Sequence, residues 1–342
     1  MAPSSIAPAP RRAGLSRRDL FALKSRAPRP AAAFDLRLHR AAMACRFEIV
    51  LPGEDAAALG KARLALDEAH RVESRLSVFQ SASEVSRVND RAALSPVVVD
   101  DELFALLVRC RELTDATGGA FDITATPLSV CWGFLNRAGR LPESEALDAA
   151  RARVGMHRIA LEPTARTVAF SVPGMALNFG SIGKGFAVQQ IGRRLRAQGI
   201  RDALVSAGGS SALALGQRDA GWEVDLRPRA FEGPPVRLHL RDCAMATSGA
   251  GEQFVEIDGT RYGHVIDPRS GRPASGTLSA TVVANDAATA DALATAFLVG
   301  GVALARGYCR AHADTLAILV PDDDSRRPCV IGTQGGARVE VS

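Results

Sequence analysis

The fold is decided around LNFGSIGKGFAVQQIGRRLRAQG, residues 177–199, where a glycine-rich loop runs into an amphipathic pattern. This pattern predicts a helix that ends at Gly199 as its C-cap. The residues that follow, LVSAGGSSALALG (204–216), read as two strands around a tight turn. A loop, a helix and a strand pair in this order indicate a fold in which helices and antiparallel strands are mixed.

On both sides of this stretch, single helices are interspersed with pairs of strands. A strict alternation of strand and helix is absent, which favours an α+β fold over a doubly wound parallel sheet. Helices are predicted at 55–76, 100–116, 143–153 and 286–299. Strands are predicted from Phe34 through Leu51, and at 158–163, 167–172, 222–227, 236–240, 253–258, 262–266, 278–284, 315–320 and 328–341.

Charge and composition divide the 342 residues into a tail and a body. Residues 1–33 are rich in Pro, Ala and Arg and predict a disordered basic tail, so the folded domain is expected at 34–342. Residues 1–40 hold nine basic and two acidic side chains, a charge of +7, so the rest carries −2 of the total +5. Because the body is mildly acidic and only 5% aromatic, no nucleic-acid partner is expected.

The tail contains SRRDLF (16–21), which looks like the start of a twin-arginine export signal. Such a signal needs an apolar stretch next, and here Lys24, Arg26 and Arg29 interrupt it. This favours a cytoplasmic location over a periplasmic or membrane-side one. The six cysteines form no Cys-x-x-Cys unit, so buried free thiols are expected.

The glycine loop at 180–185 is the first candidate for chemistry. Glycines at the start of a helix present backbone amides to an anion. Lys184 lies in this loop, in a chain with 39 arginines and only three lysines. A compact ammonium suits a phosphate in a tight site. The alternative is an ordinary turn in which a lysine stands by chance.

A second candidate is DAATADALATAF (286–297), where Asp291 and Thr295 stand four residues apart and project from one helix face. An oxygen-only set of this kind suits Mg²⁺. The alternative is a solvated aspartate and a threonine at the edge of the core.

Two further segments carry polar and turn residues. In RYGHVIDPRSGRPA (261–274), His264 is the histidine nearest to a cluster of such residues, and it is either catalytic or structural. In ATGGAFDITATPL (116–128), a Gly-Gly turn leads into Phe121 and Asp122 and either cradles a ligand or caps a strand.

Together, in this order, the four segments resemble the ApbE family of FAD:protein FMN transferases over roughly residues 40–340. The most specific matches are SGAGEQFVEIDGTRYGHVIDPRSGRPA (248–274) and the late DAATADALATAF. Weaker support comes from FQSASEVSRVND (79–90) and GGAFD (118–122).

The resemblance implies an FAD site in a cleft between two mixed α/β subdomains, with Mg²⁺ on the pyrophosphate. The implied metal ligands are Asp291, Thr295 and a loop oxygen near Ser181 or Gly183. The implied FAD contacts are Met43 and Phe79 on the nucleotide, Ala120, Phe121 and Asp122 in the pocket, Asn178, Gly180 and Lys184 in the glycine loop, and Ile266, which shares with His264 a strand that closes over the cofactor.

The implied activity is Mg²⁺-dependent transfer of FMN from FAD to a threonine hydroxyl of an acceptor flavoprotein, such as a membrane redox subunit, with release of AMP. For removal of the hydroxyl proton, our own candidate is His264. Alternatives are an FAD pyrophosphatase that gives FMN and AMP, and a protein that binds FAD without turnover. Five features depart from the family pattern. Asn178 replaces an aspartate and Phe79 a tyrosine, and three short units differ: Met43-Ala44-Cys45 for Met-Gly-Thr, Gly180-Ser181 for Gly-Gly, and Ala250-Gly251 for Asp-Tyr.

Overall fold

The structure, a computed structural model, describes residues 34–341 except 54–55, 136–138, 217, 219, 227–235, 252–253 and 258. The predicted basic tail at 1–33, with its twin-arginine-like start, lies outside the described residues. Within them the chain forms helices and mainly antiparallel strand pairs, and the predicted α+β class is confirmed.

The helices and strands have the following bounds. The helices are α1 Leu59–Leu76, α2 Glu84–Arg91, α3 Asp101–Ala116, α4 Thr126–Cys131, α5 Ser144–Arg151, α6 Gly183–Ala197 and α7 Ala287–Ala311. The strands are β1 Asp35–Ala42, β2 Cys45–Pro52, β3 Val97–Val98, β4 Ile159–Glu162, β5 Thr167–Phe170, β6 Ala203–Ala207, β7 Ser211–Leu215, β8 Trp222–Leu226, β9 Val236–Leu240, β10 Ala244–Gly249, β11 Phe254–Ile257, β12 Thr260–Gly263, β13 Thr277–Ala284, β14 Thr315–Pro321, β15 Cys329–Thr333 and β16 Ala337–Val341.

An eight-stranded sheet in the order β1-β2-β6-β7-β10-β13-β14-β15 forms the centre of the molecule. Each neighbouring pair in it is antiparallel. On one face, α1, α6 and α7 bury the largest apolar cluster, which continues into α3 and β5. The other face packs on the three-stranded sheet β16-β9-β8. The central sheet is therefore buried on both sides, which explains why β6 and β7 are buried along their whole length.

The glycine loop and α7 meet because α6 and α7 lie side by side on this sheet. Their approach is close at the start of α6, where a methyl group on Gly185 would lie 2.1 Å from the carbonyl oxygen of Ala287. Farther along α6, a methyl group on Gly192 would lie 2.3 Å from a Cδ of Leu213 in β7. Glycine is required at Gly185, because the close atoms there are backbone, whereas at Gly192 the close atom is the end of a side chain. The contact at Gly185 brings two helix N-termini together.

By length and composition, α7 is the one helix of the described residues that is apolar enough to span a membrane. In its most apolar 18-residue window, 61% of the residues are buried inside the protein. Its backbone leaves the helical conformation at Gly301, with φ 65° and ψ −164°. The apolar composition is explained by packing against β10, β13 and β14, since α7 is the central core helix.

Several predicted elements need correction. The strand predicted from Phe34 to Leu51 is a hairpin with a turn at Met43-Ala44, and the helix predicted at 286–299 continues to Ala311 beyond the break at Gly301. The strand predicted at 328–341 is β15 and β16, which belong to different sheets. The chain crosses between them at Gly336, where a methyl group would lie 2.1 Å from the carbonyl oxygen of Arg241.

Candidate functional site

Asp291, near the start of α7, is 2% exposed and receives donors from two segments, the start of α6 and the start of β7. Its Oδ2 accepts a hydrogen bond from the backbone amide of Gly185 at 2.9 Å. Its Oδ1 accepts one from Ser211 Oγ at 3.3 Å, and Lys184 Nζ lies 3.7 Å from the same oxygen. A buried carboxylate needs such partners, because unpaired it would lose its hydration without compensation. The predicted contact between Asp291 and the glycine loop is therefore present.

Thr295, one turn later on α7, continues this oxygen-rich face. Its Oγ1 lies 3.2 Å from Ser248 Oγ at the end of β10 and 3.4 Å from the backbone carbonyl oxygen of Asp291. Spacing of four residues on a helix accounts for the shared direction of Asp291 and Thr295. The sequence did not single out Ser211, because one serine in an apolar strand carries no local signal of function, and it gave Ser248 only as the first residue of the segment 248–274.

The glycine loop is held by its own residues and by two neighbouring segments. Asn178 Oδ1 accepts from the amide of Gly180 at 2.8 Å, and the amide of Asn178 donates to the carbonyl oxygen of Ile123. Asn89 on α2 binds both backbone groups of Leu177, at 2.7 and 3.1 Å. Asn178 therefore acts as a loop-forming side chain, which an aspartate in the same place would also do. Ser181 lies in the turn between Gly180 and α6 and is half-buried.

Met43 approaches the loop from the β1–β2 hairpin. Its side chain is so close that a methyl group on Gly183 would lie 3.1 Å from the Met43 Cε. The backbone amide of Met43 donates to Glu73 Oε1 at 2.8 Å. Both turn residues have left-handed backbone, with φ 49° at Met43 and 55° at Ala44. Such backbone in residues other than glycine is sparsely populated, and it occurs where surrounding contacts hold it in place.

Asp122 lies in the loop after the Gly118-Gly119 turn and anchors a second group of residues. Its Oδ1 accepts from the amide and the hydroxyl of Thr124, at 2.8 and 2.6 Å, and its Oδ2 from the amide of Met156 at 3.1 Å. Burial raises the pKa of Asp122 above its ordinary value of 3.8, and the hydrogen bonds from Thr124 and Met156 oppose this effect. The carboxylate is also influenced by His157, whose charge lowers its pKa.

A cleft of about 500 Å³ opens beside Asp122. Its walls include the Gly118-Gly119 turn, His157, Arg151 and Arg269. Asp122 is the one member of the predicted site among its described lining residues. The loop that carries Asp122 also reaches the glycine loop through the hydrogen bond from Asn178 to Ile123. The two groups of polar residues are thus connected by residues 122–123.

Four of the predicted FAD contacts differ widely in exposure. Ala120 and Phe121 are each 1% exposed and belong to the hydrophobic core, so their side chains shape the loop. Ile266 is buried in a small cluster with Trp132 and Val154. Phe79 follows α1 and is 77% exposed. The side chains of Ala120, Phe121 and Ile266 are thus part of apolar clusters, whereas the Phe79 ring is open to solvent.

His264 is half-buried in a bend directly after β12. The predicted strand at 262–266 ends at Gly263, and Ile266 instead forms an isolated bridge with Pro273. A methyl group on Gly263 would lie 3.0 Å from the carbonyl oxygen of Ala250. Since Ala250 follows β10 by one residue, the segment before His264 contacts the strand end that carries Ser248.

The donor set around Asp291 fits the predicted Mg²⁺ in its chemistry. One carboxylate, the hydroxyls of Thr295 and Ser248 and nearby backbone carbonyls are all oxygen donors, the kind that Mg²⁺ prefers. Among the described residues no group of three or more His, Cys, Asp or Glu side chains is arranged to hold a metal. This agrees with a site that has a single carboxylate, because Mg²⁺ is commonly held by one or two carboxylates together with substrate phosphates.

Fold and site together define an α+β protein with an oxygen-lined site where the N-termini of two helices meet. A profile of the ApbE family matches residues 43–320, and the chain belongs to this family. The FAD:protein FMN transferase of Vibrio cholerae is 31% identical over 259 residues, 74% of this chain and 77% of the relative. That of Treponema pallidum is 35% identical over 243 residues, 66% of this chain and 67% of the relative.

Solved structures give the same result. The flavin transferase ApbE from Vibrio cholerae matches with a TM-score of 0.76 at 27% identity, over 88% of this chain and 98% of the other. The ApbE protein from Thermotoga maritima matches with a TM-score of 0.78 at 25% identity, over 88% and 97%. The predictions of the family and of a transferase are confirmed.

Proposed function

We propose that this chain transfers the FMN half of FAD to a threonine hydroxyl of an acceptor flavoprotein and releases AMP, in a reaction that requires Mg²⁺. One observation carries the proposal: Asp291 and Thr295 lie one turn apart on α7, and Asp291 contacts both the glycine loop and Lys184. The names of the relatives, FAD:protein FMN transferase, support FAD as the flavin donor and a protein as the acceptor.

In this reaction the hydroxyl oxygen of the acceptor forms a bond to the FMN phosphorus, and the bond from that phosphorus to the bridging oxygen of the pyrophosphate breaks. AMP leaves with the bridging oxygen, and the hydroxyl proton passes to a base. Mg²⁺, when bound, supplies a Lewis acid that draws charge from the pyrophosphate. Asp291, Thr295 and a loop oxygen near Ser181 are its proposed ligands.

The chain's own residues then position the substrate and compensate its charge. Lys184 has a 27% exposed side chain beside a buried carboxylate, so its ammonium reaches the open side of the site and pairs with a phosphate oxygen. Met43, held in a strained turn, packs on the nucleotide. His264 takes the proton from the acceptor hydroxyl. In-line phosphoryl transfer requires little covalent chemistry of the protein, so positioning and charge account for most of the rate.

The test is incubation of the protein with FAD, Mg²⁺ and a threonine-containing segment of an acceptor flavoprotein, followed by mass spectrometry for covalent FMN. Asp291→Ala is expected to lower the transfer rate by at least about 100-fold. The matched control is Asp314→Ala, which changes an exposed aspartate just beyond the end of α7 and leaves the rate unchanged. His264→Ala is expected to slow transfer while FAD binding persists.

Two results would contradict the proposal. Release of AMP without any modified acceptor would favour a pyrophosphatase. Retention of FAD with no AMP and no modified acceptor would indicate a protein that binds FAD without turnover.

A further inference from the structure

Ser211 is a polar residue in the otherwise apolar strand β7. The strand reads SALAL, and its alternate residues Leu213 and Leu215 pack into the core beneath α6 and α7. Ala212 and Ala214 face the opposite core. Because side chains alternate along a strand, Ser211 falls in the same row as the two leucines, on the face toward the helices. A hydroxyl that is 2% exposed thus occupies a position where the pattern predicts an apolar side chain.

The partner of this hydroxyl is the carboxylate of Asp291. Ser211 Oγ donates to Asp291 Oδ1 at 3.3 Å, from the sheet side. The amide of Gly185 donates to Oδ2 at 2.9 Å, from the start of α6. The two donors come from different elements and bind different oxygens, so together they fix the plane of the carboxylate. Lys184 Nζ, at 3.7 Å from Oδ1, is more exposed and lies on the open side.

We propose that Ser211 is a positioning residue that orients Asp291 for a divalent cation, an inference that rests on the proposed function. Partners of this kind set the direction in which a metal ligand presents its lone pairs, and their loss commonly weakens metal binding by about 10- to 100-fold. Without the hydroxyl, Oδ1 keeps only the flexible ammonium of Lys184. The carboxylate then turns toward this ammonium and away from Thr295.

The experiment titrates Mg²⁺ into the FAD-saturated protein and measures the dissociation constant by calorimetry. Ser211→Ala is expected to raise this constant for Mg²⁺ about tenfold. Ser211→Thr keeps the hydroxyl and is expected to restore the wild-type value. The matched control is Ser206→Ala: this buried serine on β6 pairs with Ala212 and shares the sheet face opposite Asp291. It is expected to bind Mg²⁺ like the wild type.

A second measurement separates positioning from folding. The thermal midpoint of Ser211→Ala without Mg²⁺ is expected to match that of Ser206→Ala, and FAD affinity without Mg²⁺ is expected to match the wild type. A Mg²⁺ dissociation constant in Ser211→Ala equal to the wild-type one would overturn the positioning role alone. A wild-type protein that binds no Mg²⁺ in the presence of FAD would overturn the proposed function and this inference with it.

Discussion

At the scale of single residues, the site is built from buried charges that are paired by short-range donors. Asp291 receives a backbone amide, a hydroxyl and an ammonium, and Asp122 receives two amides and a hydroxyl. Burial is the largest influence on the Asp122 carboxylate, and it raises the pKa of this group. A pH effect is therefore expected at Asp122.

The free energy of unfolding is expected to depend on pH through Asp122. Its folded-state pKa lies above 3.8, so the folded protein binds its proton more tightly than the unfolded chain does. The stabilising contribution is complete below pH 3.8 and is lost as pH rises through the folded pKa. Asp122→Asn removes this contribution. As pH rises from 3.8 through the folded pKa, the unfolding free energy of the wild type is therefore expected to fall relative to that of the variant.

The measurement is urea unfolding at a series of pH values for both proteins. Asp115→Asn, at an exposed aspartate on α3 beside the same cleft, serves as the control. A difference between wild type and Asp122→Asn that stays constant with pH would show that the buried carboxylate does not titrate differently on folding.

At the scale of elements, the contact between the starts of α6 and α7 has the strictest steric requirement. A methyl group on Gly185 would lie 2.1 Å from the Ala287 carbonyl oxygen and 2.7 Å from Asp291 Cβ. Helix propensity alone favours alanine over glycine by about 1 kcal/mol. Since backbone atoms have to move, we expect Gly185→Ala to lower the unfolding free energy by about 1–3 kcal/mol.

Gly307, in the last part of α7, gives the matched comparison. No atom lies within 4 Å of a methyl group placed there. Gly307→Ala is therefore expected to raise the unfolding free energy by up to about 1 kcal/mol. Denaturant unfolding of the two variants checks the opposite signs, and stabilisation by Gly185→Ala would refute the close contact of the two helices.

The β1–β2 hairpin stores strain next to the site. Ala42 pairs with Cys45 across a loop of two residues, and both loop residues have positive φ. This turn prefers glycine at its second position. Ala44→Gly is expected to raise the unfolding free energy by roughly 0.5–1 kcal/mol. The left-handed conformation costs alanine about 1–2 kcal/mol, and glycine avoids this cost. Part of the gain is offset because glycine has more conformational freedom in the unfolded chain.

Thermal or urea unfolding measures this effect. Ala42→Gly, in the buried strand end of the same hairpin, is expected to lower stability and serves as a control of opposite sign. Equal stability of Ala44→Gly and wild type would show that the turn is not strained in solution.

At the scale of the whole molecule, the two cores on opposite faces of the central sheet and the small cluster around Trp132 account for the behaviour of the cysteines. All six are free. Cys110, Cys131, Cys243 and Cys309 are buried, and Cys45 and Cys329 are partly exposed. Burial raises the pKa of the Cys243 and Cys309 thiols to about 11, and it also raises that of Cys110. These thiols become reactive only when the cores open.

We expect alkylation of the native protein by iodoacetamide to modify Cys45 and Cys329 first and the four buried thiols only on unfolding. Cys45 directly follows the Met43-Ala44 turn, and its Sγ would lie 3.3 Å from a methyl group on Gly208. FAD with Mg²⁺ is therefore expected to slow the modification of Cys45 and leave Cys329 unaffected. Peptide mass mapping over time gives both rates, and equal protection of the two would argue against FAD binding beside the hairpin.

Local patterns in the sequence were sufficient for the α+β class, for the helix that stops just before Gly199 and for the strand pair β6–β7, and the resemblance of several motifs together was sufficient for the family. A glycine loop and a four-residue spacing are patterns within one segment, and they made Lys184, Asp291 and Thr295 candidate site residues. Sequence neighbours alone determine such features. The tertiary structure decided what depends on contacts between distant segments. These are the core positions of Ala120 and Phe121, the division of 328–341 between two sheets, and the positions of Ser211 beside Asp291 and of Ser248 beside Thr295. Ser211 stands 80 residues from Asp291 in the chain, and their hydrogen bond exists only because the central sheet and α7 pack together.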